Sequence, residues 1–106
     1  LPLLTRVYEA RKKQAETGEL SMLASAAVAL GTTLSKCENF DEALNYLNEA
    51  VTIRRDIVER EGHGQRGLAN ALNRLFDVLD ARGREDESFA VRKEVEALMN
   101  NAEAEA

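Results

Sequence analysis

The side chains best suited to chemistry in this sequence are His63, Cys37 and two carboxylate pairs, Asp41 with Glu42 and Asp86 with Glu87. A histidine acts as a general base when it is held within reach of the proton it removes. His63 instead lies in "EGHGQRG", a run with three glycines that leaves an imidazole exposed and unfixed. Cys37 falls at the end of a helical stretch, beside Glu38 and away from any helix N-terminus that would activate a thiolate. Each carboxylate pair falls in the first turn of a helix, where the macrodipole favours negative charge, so neither pair needs a catalytic explanation. "GHGQRG" has no strand before it and no Lys-Ser/Thr after it, so it is not a phosphate-cradling loop. One histidine and one cysteine far apart build no His/Cys metal cluster. The expectation is a chain that is not an enzyme, with no catalytic, cofactor-binding or metal residues.

The totals narrow the partners. Fourteen Lys and Arg against nineteen Asp and Glu give a net charge of −5, a field that repels phosphates, so nucleic acid is not expected as a partner. The basic spots Arg11-Lys12-Lys13 and Arg54-Arg55 read as solvated helix faces. No apolar run approaches the ~18–20 residues that span a bilayer, and no membrane partner is expected. "LPLLTRVYEARKKQ" carries its apolar residues before its basic ones, the reverse of a secretory signal. The chain opens on Leu1 rather than Met, which reads as a section of a longer protein or a processed product. A single cysteine forms no internal disulfide, and a cytoplasmic location is the expectation.

The elements behind these residues are helical. The one proline is near the N-terminus, Ala, Leu, Glu and Arg abound, and no segment alternates apolar and polar long enough for a strand. A shift of the sequence against itself by 45 residues lays Leu23 on Leu68, Ala24 on Ala69, Ala26 on Ala71, Leu30 on Leu75 and Leu34 on Leu79. Asp41 then meets Asp86, Glu42 meets Glu87 and Glu49 meets Glu94. These are eight identities over 27 pairs, where composition gives about two by chance. The chain contains a repeat of two helices.

The first copy predicts a helix over about 20–36 with an apolar stripe of Leu20, Leu23, Ala24, Ala27, Leu30 and Leu34. Gly31 inside it costs ~1 kcal/mol against alanine, which the close approach of a neighbouring helix would justify. In "CENFDE", Asn39 is expected to cap the next helix, with Glu42 completing a capping box. That helix, about 40–60, buries Phe40, Ala43, Leu44, Leu47, Ala50, Val51 and Ile57 or Val58. The second copy predicts helices over about 65–82, on Leu68, Ala71, Leu72, Leu75, Phe76 and Leu79, and on to about Met99, on Phe89, Val95, Leu98 and Met99. The same shift lays 1–13 over 46–58. The expected organisation is therefore one domain over 1–106, with the second helix of a preceding partial repeat over 1–19. Repeat one follows over 20–64, repeat two over 65–100 and a fraying tail over 101–106.

In "ALGTTLSKCENFDEALNYLNEAVTIRR" and "GHGQRGLANALNRLFDVLDARGREDESFAVRKEV" the chain resembles the tetratricopeptide repeat family, in the long-helix form found in kinesin light chains. Ala27, Leu30 and Gly31 match the packing positions of the first helix, Phe40 the aromatic after the turn, and Ala43, Leu47 and Ala50 the small-large-small face of the second. Gly64 replaces the proline of a common His-Pro pair. The second copy departs from the pattern: Phe76 stands where the small glycine would be, Glu85 replaces the aromatic and Arg92 takes the large apolar position. Terminal repeats drift polar in this way.

The resemblance implies an all-α fold of antiparallel helical hairpins stacked as a right-handed superhelical array, about five helices in this chain. It implies a concave groove for a peptide or partner helix, and hence a non-catalytic interaction or scaffold module. Carried over residue by residue, the groove takes Ser25, Val28, Ala29, Thr32 and Ser35 from copy one and Asn70, Asn73, Arg74, Asp77 and Asp80 from copy two. Thr32, Ser35, Asn70, Asn73, Arg74 and Asp77 are its central residues. Asn73 matches an asparagine that holds a peptide backbone, since one amide both donates and accepts. Arg74 suits a ligand carboxylate, with Asp77 three residues on as its competitor in the same helix. The lysine-rich clamp of chaperone-binding relatives is absent. The alternative is a regulatory or oligomerisation segment of a larger signalling protein or enzyme, self-associating through open array ends that expose Leu1, Leu3, Leu4 and Val7.

Overall fold

The computed structural model describes the backbone over residues 17–105 and side chains over 18–100. Four helices follow one another: α1 (Thr17–Lys36), α2 (Phe40–Glu61), α3 (Gln65–Ala81) and α4 (Glu85–Glu105). No strand occurs among the described residues, so the all-α expectation holds. The segment 1–16, assigned to the helix of a preceding repeat together with the apolar Leu1, Leu3, Leu4 and Val7, lies outside the described residues. α4 continues to Glu105, through residues the sequence pattern assigns to a tail.

Each helix packs on the next in sequence, and α1 also touches α3. The two hairpins are joined to each other by the turn at 62–64, so α2 is shared between α1 and α3. The main core unites Ala27 of α1, Ala43, Leu44, Leu47, Ala50 and Val51 of α2, and Leu68, Ala71, Leu72, Leu75, Val78 and Leu79 of α3. Val91, Val95 and Leu98 of α4 pack on it from the far side. A smaller cluster joins Leu20 and Ala24 to Ile53 and Ile57. Of the two alternatives at the end of α2, Ile57 is buried and Val58 half-buried.

Gly31 has the role its place in the stripe suggests. A Cβ there would lie 2.6 Å from Leu47 Cγ, 2.9 Å from Leu47 Cδ2 and 3.3 Å from the Ala43 carbonyl oxygen. The glycine therefore lets α1 and α2 close together with Leu47 fully buried between them. The second hairpin solves the same contact differently. Phe76 is half-buried in place of the glycine, and Arg92, in place of Leu47, is exposed and ion-paired with Glu96 at 3.9 Å.

Three expectations fail for stated physical reasons. Leu30 is 46 % exposed rather than buried. Its counterpart Leu75 is buried because α3 has α2 on that side, in the cluster that holds Leu44 and Val51. α1 turns the corresponding face, with Met22 and Ala26, to solvent. Phe89 and Met99 are exposed as well, because α4 has a helical neighbour on one side only among the described residues. Asn39 makes no side-chain cap bond. Its ψ of 66° is far from the extended conformation that aims a cap side chain at the first-turn amides, so the capping box does not form.

The turns that join α1 to α2 and α3 to α4 are built alike, and the likeness goes beyond the sequence identities. Glu38 and Gly83, 45 residues apart, both have left-handed backbones, at φ 63° and 75°. Asn39 N–H donates to the Leu34 carbonyl at 2.9 Å, and Arg84 N–H to the Leu79 carbonyl at 2.9 Å, closing the same helix-ending motif. Only the second turn has the residue that this conformation favours. A non-glycine residue there costs roughly 1–2 kcal/mol, partly offset by the greater freedom that glycine gives the unfolded chain. Glu38→Gly is expected to stabilise the protein by about 0.5–1 kcal/mol and Gly83→Glu to destabilise it comparably. Guanidinium unfolding midpoints at unchanged slope check both.

Candidate functional site: the seam between α1 and α3

Because α2 packs against both α1 and α3, the inner edges of those two helices leave a seam with α2 beneath it. Two α2 residues seven positions apart reach this seam, Leu47 and Arg54, which lie about 10 Å apart along the helix. At the Leu47 end a cleft of about 90 Å³ is lined by Thr32, Ser35 and Lys36 of α1 and by Arg74 and Asp77 of α3, with Leu47 in its wall. Thr32 and Ser35 are half-buried, while Arg74 and Asp77 are exposed. Arg74 and Asp77 form no ion pair, so the intrahelical competitor leaves the guanidinium available.

Of the six residues that the resemblance assigns to a groove, the fold brings Thr32, Ser35, Arg74 and Asp77 to one cleft. Asn70 and Asn73 are exposed on α3 and do not line it.

At the other end of the seam stands a residue that the sequence pattern misassigns. Arg54 is half-buried, not on a solvated face. Its Nη1 donates to Ser21 Oγ at 3.0 Å and its Nη2 to Ser25 Oγ at 3.1 Å, both on α1. On the α3 side, a Cβ at Gly67 would lie 3.2–3.3 Å from the guanidinium, so the missing side chain of Gly67 makes its room. Burial pulls the guanidinium below its ordinary pKa, and no described carboxylate pairs with it. Arg55 behaves as expected of a surface residue, bonding Glu94 of α4 at 2.6 Å. A signal for Arg54 was available: it falls in line with Leu47 at i+7, the spacing of one helix face.

The residues first considered for chemistry stay apart. His63 is exposed and lies 3.7 Å from Glu61. Asp41 pairs with Arg82 at 3.2 Å across the base of the two turns, and Glu87 with Arg84 at 3.7 Å. A larger polar recess of about 280 Å³ lies there, among Glu38, Asn39, Asp41, Glu42 and Arg82, in which Asp41 and Arg82 pair with each other and Asp41 and Glu42 stand in the first turn of α2. Among the described residues, no three His, Cys, Asp or Glu cluster as metal ligands, and no helix is long and apolar enough to cross a membrane.

The part of the sequence that forms the first of these hairpins has a counterpart in a known family. Residues 23–63 match the family model of the tetratricopeptide repeat. The tetratricopeptide repeat match runs from Leu23 in α1 through the whole of α2 to His63, 41 of the 106 residues. It covers the Gly31–Leu47 contact and Arg54, and stops before the second copy, whose Phe76, Glu85 and Arg92 depart from the pattern. Tetratricopeptide repeats are non-catalytic and mediate protein–protein interactions. No curated protein and no solved structure gives a match to the chain.

Proposed function

We propose that this chain is a protein-interaction module that receives a peptide or partner helix in the seam between α1 and α3. The observation that carries the reading is the seam itself: two helices offer polar side chains to an open cleft while α2 supplies the apolar Leu47 beneath. Side-chain hydroxyls, an amide-rich α3 face and a free guanidinium suit a main chain that needs donors and acceptors. The 22 residues of α2 accord with the long-helix form of the tetratricopeptide repeat. A cytoplasmic scaffold fits the single, exposed Cys37.

The test is selection of binding twelve-residue peptides by phage display, followed by titration into the ¹⁵N-labelled chain. Amide shifts clustering at Thr32, Ser35, Asn70, Asn73, Arg74 and Asp77 are expected. Shifts confined to the outer residues of α2 and α4, such as Glu59 and Lys93, would reject groove binding.

A second reading, a regulatory or oligomerisation segment of a larger protein, is favoured by one feature. Met22, 74 % exposed, and Leu30 form an apolar face on α1, and the counterpart of Leu30 in α3, Leu75, is buried. Sedimentation at millimolar concentration discriminates: a strict monomer counts against self-association through this face.

A further inference from the structure

Arg54 is expensive for the fold to keep where it is. Its partners are the neutral hydroxyls of Ser21 and Ser25, and no carboxylate among the described residues pairs with it. A half-buried guanidinium without a counter-charge destabilises a core relative to an apolar side chain of similar size. The repeat supplies an internal comparison. The 45-residue shift sets Met99 at the position of Arg54, so the hairpin architecture itself requires no cation there. Gly67 adds to the expense, being a glycine inside α3 whose missing side chain leaves space for the guanidinium.

The arrangement is open on the Ser25 side, where both Ser25 and its bond to Arg54 are exposed. A guanidinium carries five N–H donors, and the two serines accept from only two of its nitrogens. Each serine oxygen accepts from Arg54, which leaves its own O–H proton uncommitted to that bond. One cation and two hydroxyls thus meet at the seam, with Ser25 exposed and Ser21 half-buried.

We infer that Arg54, Ser21 and Ser25 form a receptor for a single carboxylate, the Asp or Glu side chain of an acidic segment lying in the seam. The assignment rests on the groove reading and adds to it the chemistry of the occupant. A planar fork with one positive charge matches a planar monoanion. A phosphoryl group, near −2, would face a single cation in a chain of net charge −5. Arg74, seven residues beyond Gly67 and so about 10 Å along α3, offers a second cation at the far end of the same seam. The site uses a side chain from α2 and differs from the lysine-rich clamp, whose positions here carry other residues.

The test uses the ¹⁵N-labelled full chain with three probes: a capped pentapeptide Gly-Gly-Glu-Gly-Gly, its Gln counterpart, and inorganic phosphate. The Glu peptide is expected to shift the amides of Ser21, Ser25 and Gly67 and the Arg54 Nε–H saturably. The Gln peptide and the Arg54→Met variant are each expected to weaken this at least about tenfold, the scale of one charge-assisted hydrogen bond. Methionine is the residue of the equivalent position, and an unchanged or raised Tm of that variant verifies that it folds. Equal response to Glu and Gln peptides, or a response surviving in Arg54→Met, overturns the inference. So does phosphate acting at lower concentration than the Glu peptide, which would assign a phosphoryl ligand. Display-selected peptides that perturb Thr32 and Ser35 without acidic preference and without touching Ser25 or Gly67 would overturn the carboxylate receptor and leave the groove standing. Perturbation of neither end by any peptide overturns both.

Discussion

Gly31→Ala is expected to destabilise the protein by about 1–3 kcal/mol, although alanine is the better helix former by ~1 kcal/mol. The sign is set by the space at the α1–α2 contact. The new methyl would sit 2.6 Å from Leu47 Cγ and 2.9 Å from Cδ2, inside any real carbon–carbon contact. Leu47 has no exposed surface into which it can swing, and the Ala43 carbonyl at 3.3 Å prevents the helices from sliding to make room. The helices must therefore separate, loosening Ala27, Ala43 and Ala50 as well, all fully buried. Urea unfolding measures the loss. A gain in stability would show that α1 does not approach α2 this closely. The pair is also non-additive: in a Leu47→Ala background the atoms that the methyl would strike are gone, so the second substitution should cost much less than it does alone.

Leu47→Ala on its own is expected to cost 2–5 kcal/mol, roughly the range for emptying a fully buried leucine site. Set against a total stability of about 5–15 kcal/mol for a typical domain, that brings a chain of 106 residues close to unfolding at room temperature. The control is Leu30→Ala, which removes the same atoms from a side chain 46 % exposed and is expected to cost no more than about 1 kcal/mol. Equal losses from the two would contradict the burial described for α1.

The contrast between these leucines marks what was legible in the sequence. The inner helix ends, from Lys36 to Glu85, and the Gly31 contact follow from periodicity within a helix and between copies, both local, whereas the outer ends at Thr17 and Glu105 run past the expected 20 and 99. Leu47, Ala43 and Ala50 belonged to the same legible set, since α2 is covered whichever hairpin is considered. Leu30 looked identical to Leu75 because the two share a helical phase. Which face finds a neighbour is decided by the next element, and the identity of position carries no record of it. Asn39 fails as a side-chain cap for a related reason: the left-handed Glu38 before it ends α1 and leaves Asn39 outside the cap conformation. Arg54 was obscured by Arg55. Two adjacent arginines read as one basic surface, yet a 100° step separates them on a helix, placing one in the seam and the other against Glu94. The residues drawn from the family resemblance divide along similar lines. Thr32, Ser35, Arg74 and Asp77 converge because α1 and α3 touch, whereas Asn70 and Asn73 lie away from the cleft on α3.

The packing of each helix on its neighbour in sequence also determines how the molecule comes apart. Few contacts link distant stretches of chain, so order can spread or retreat one helix at a time instead of all at once. α4, held from one side among the described residues and carrying Phe89 and Met99 in water, is expected to exchange its amides sooner than α2 and α3, each flanked on two sides. A visitor bridging α1 and α3 would therefore act as a clasp on the zipper, tightening the chain by joining the two helices that the backbone itself joins only through α2.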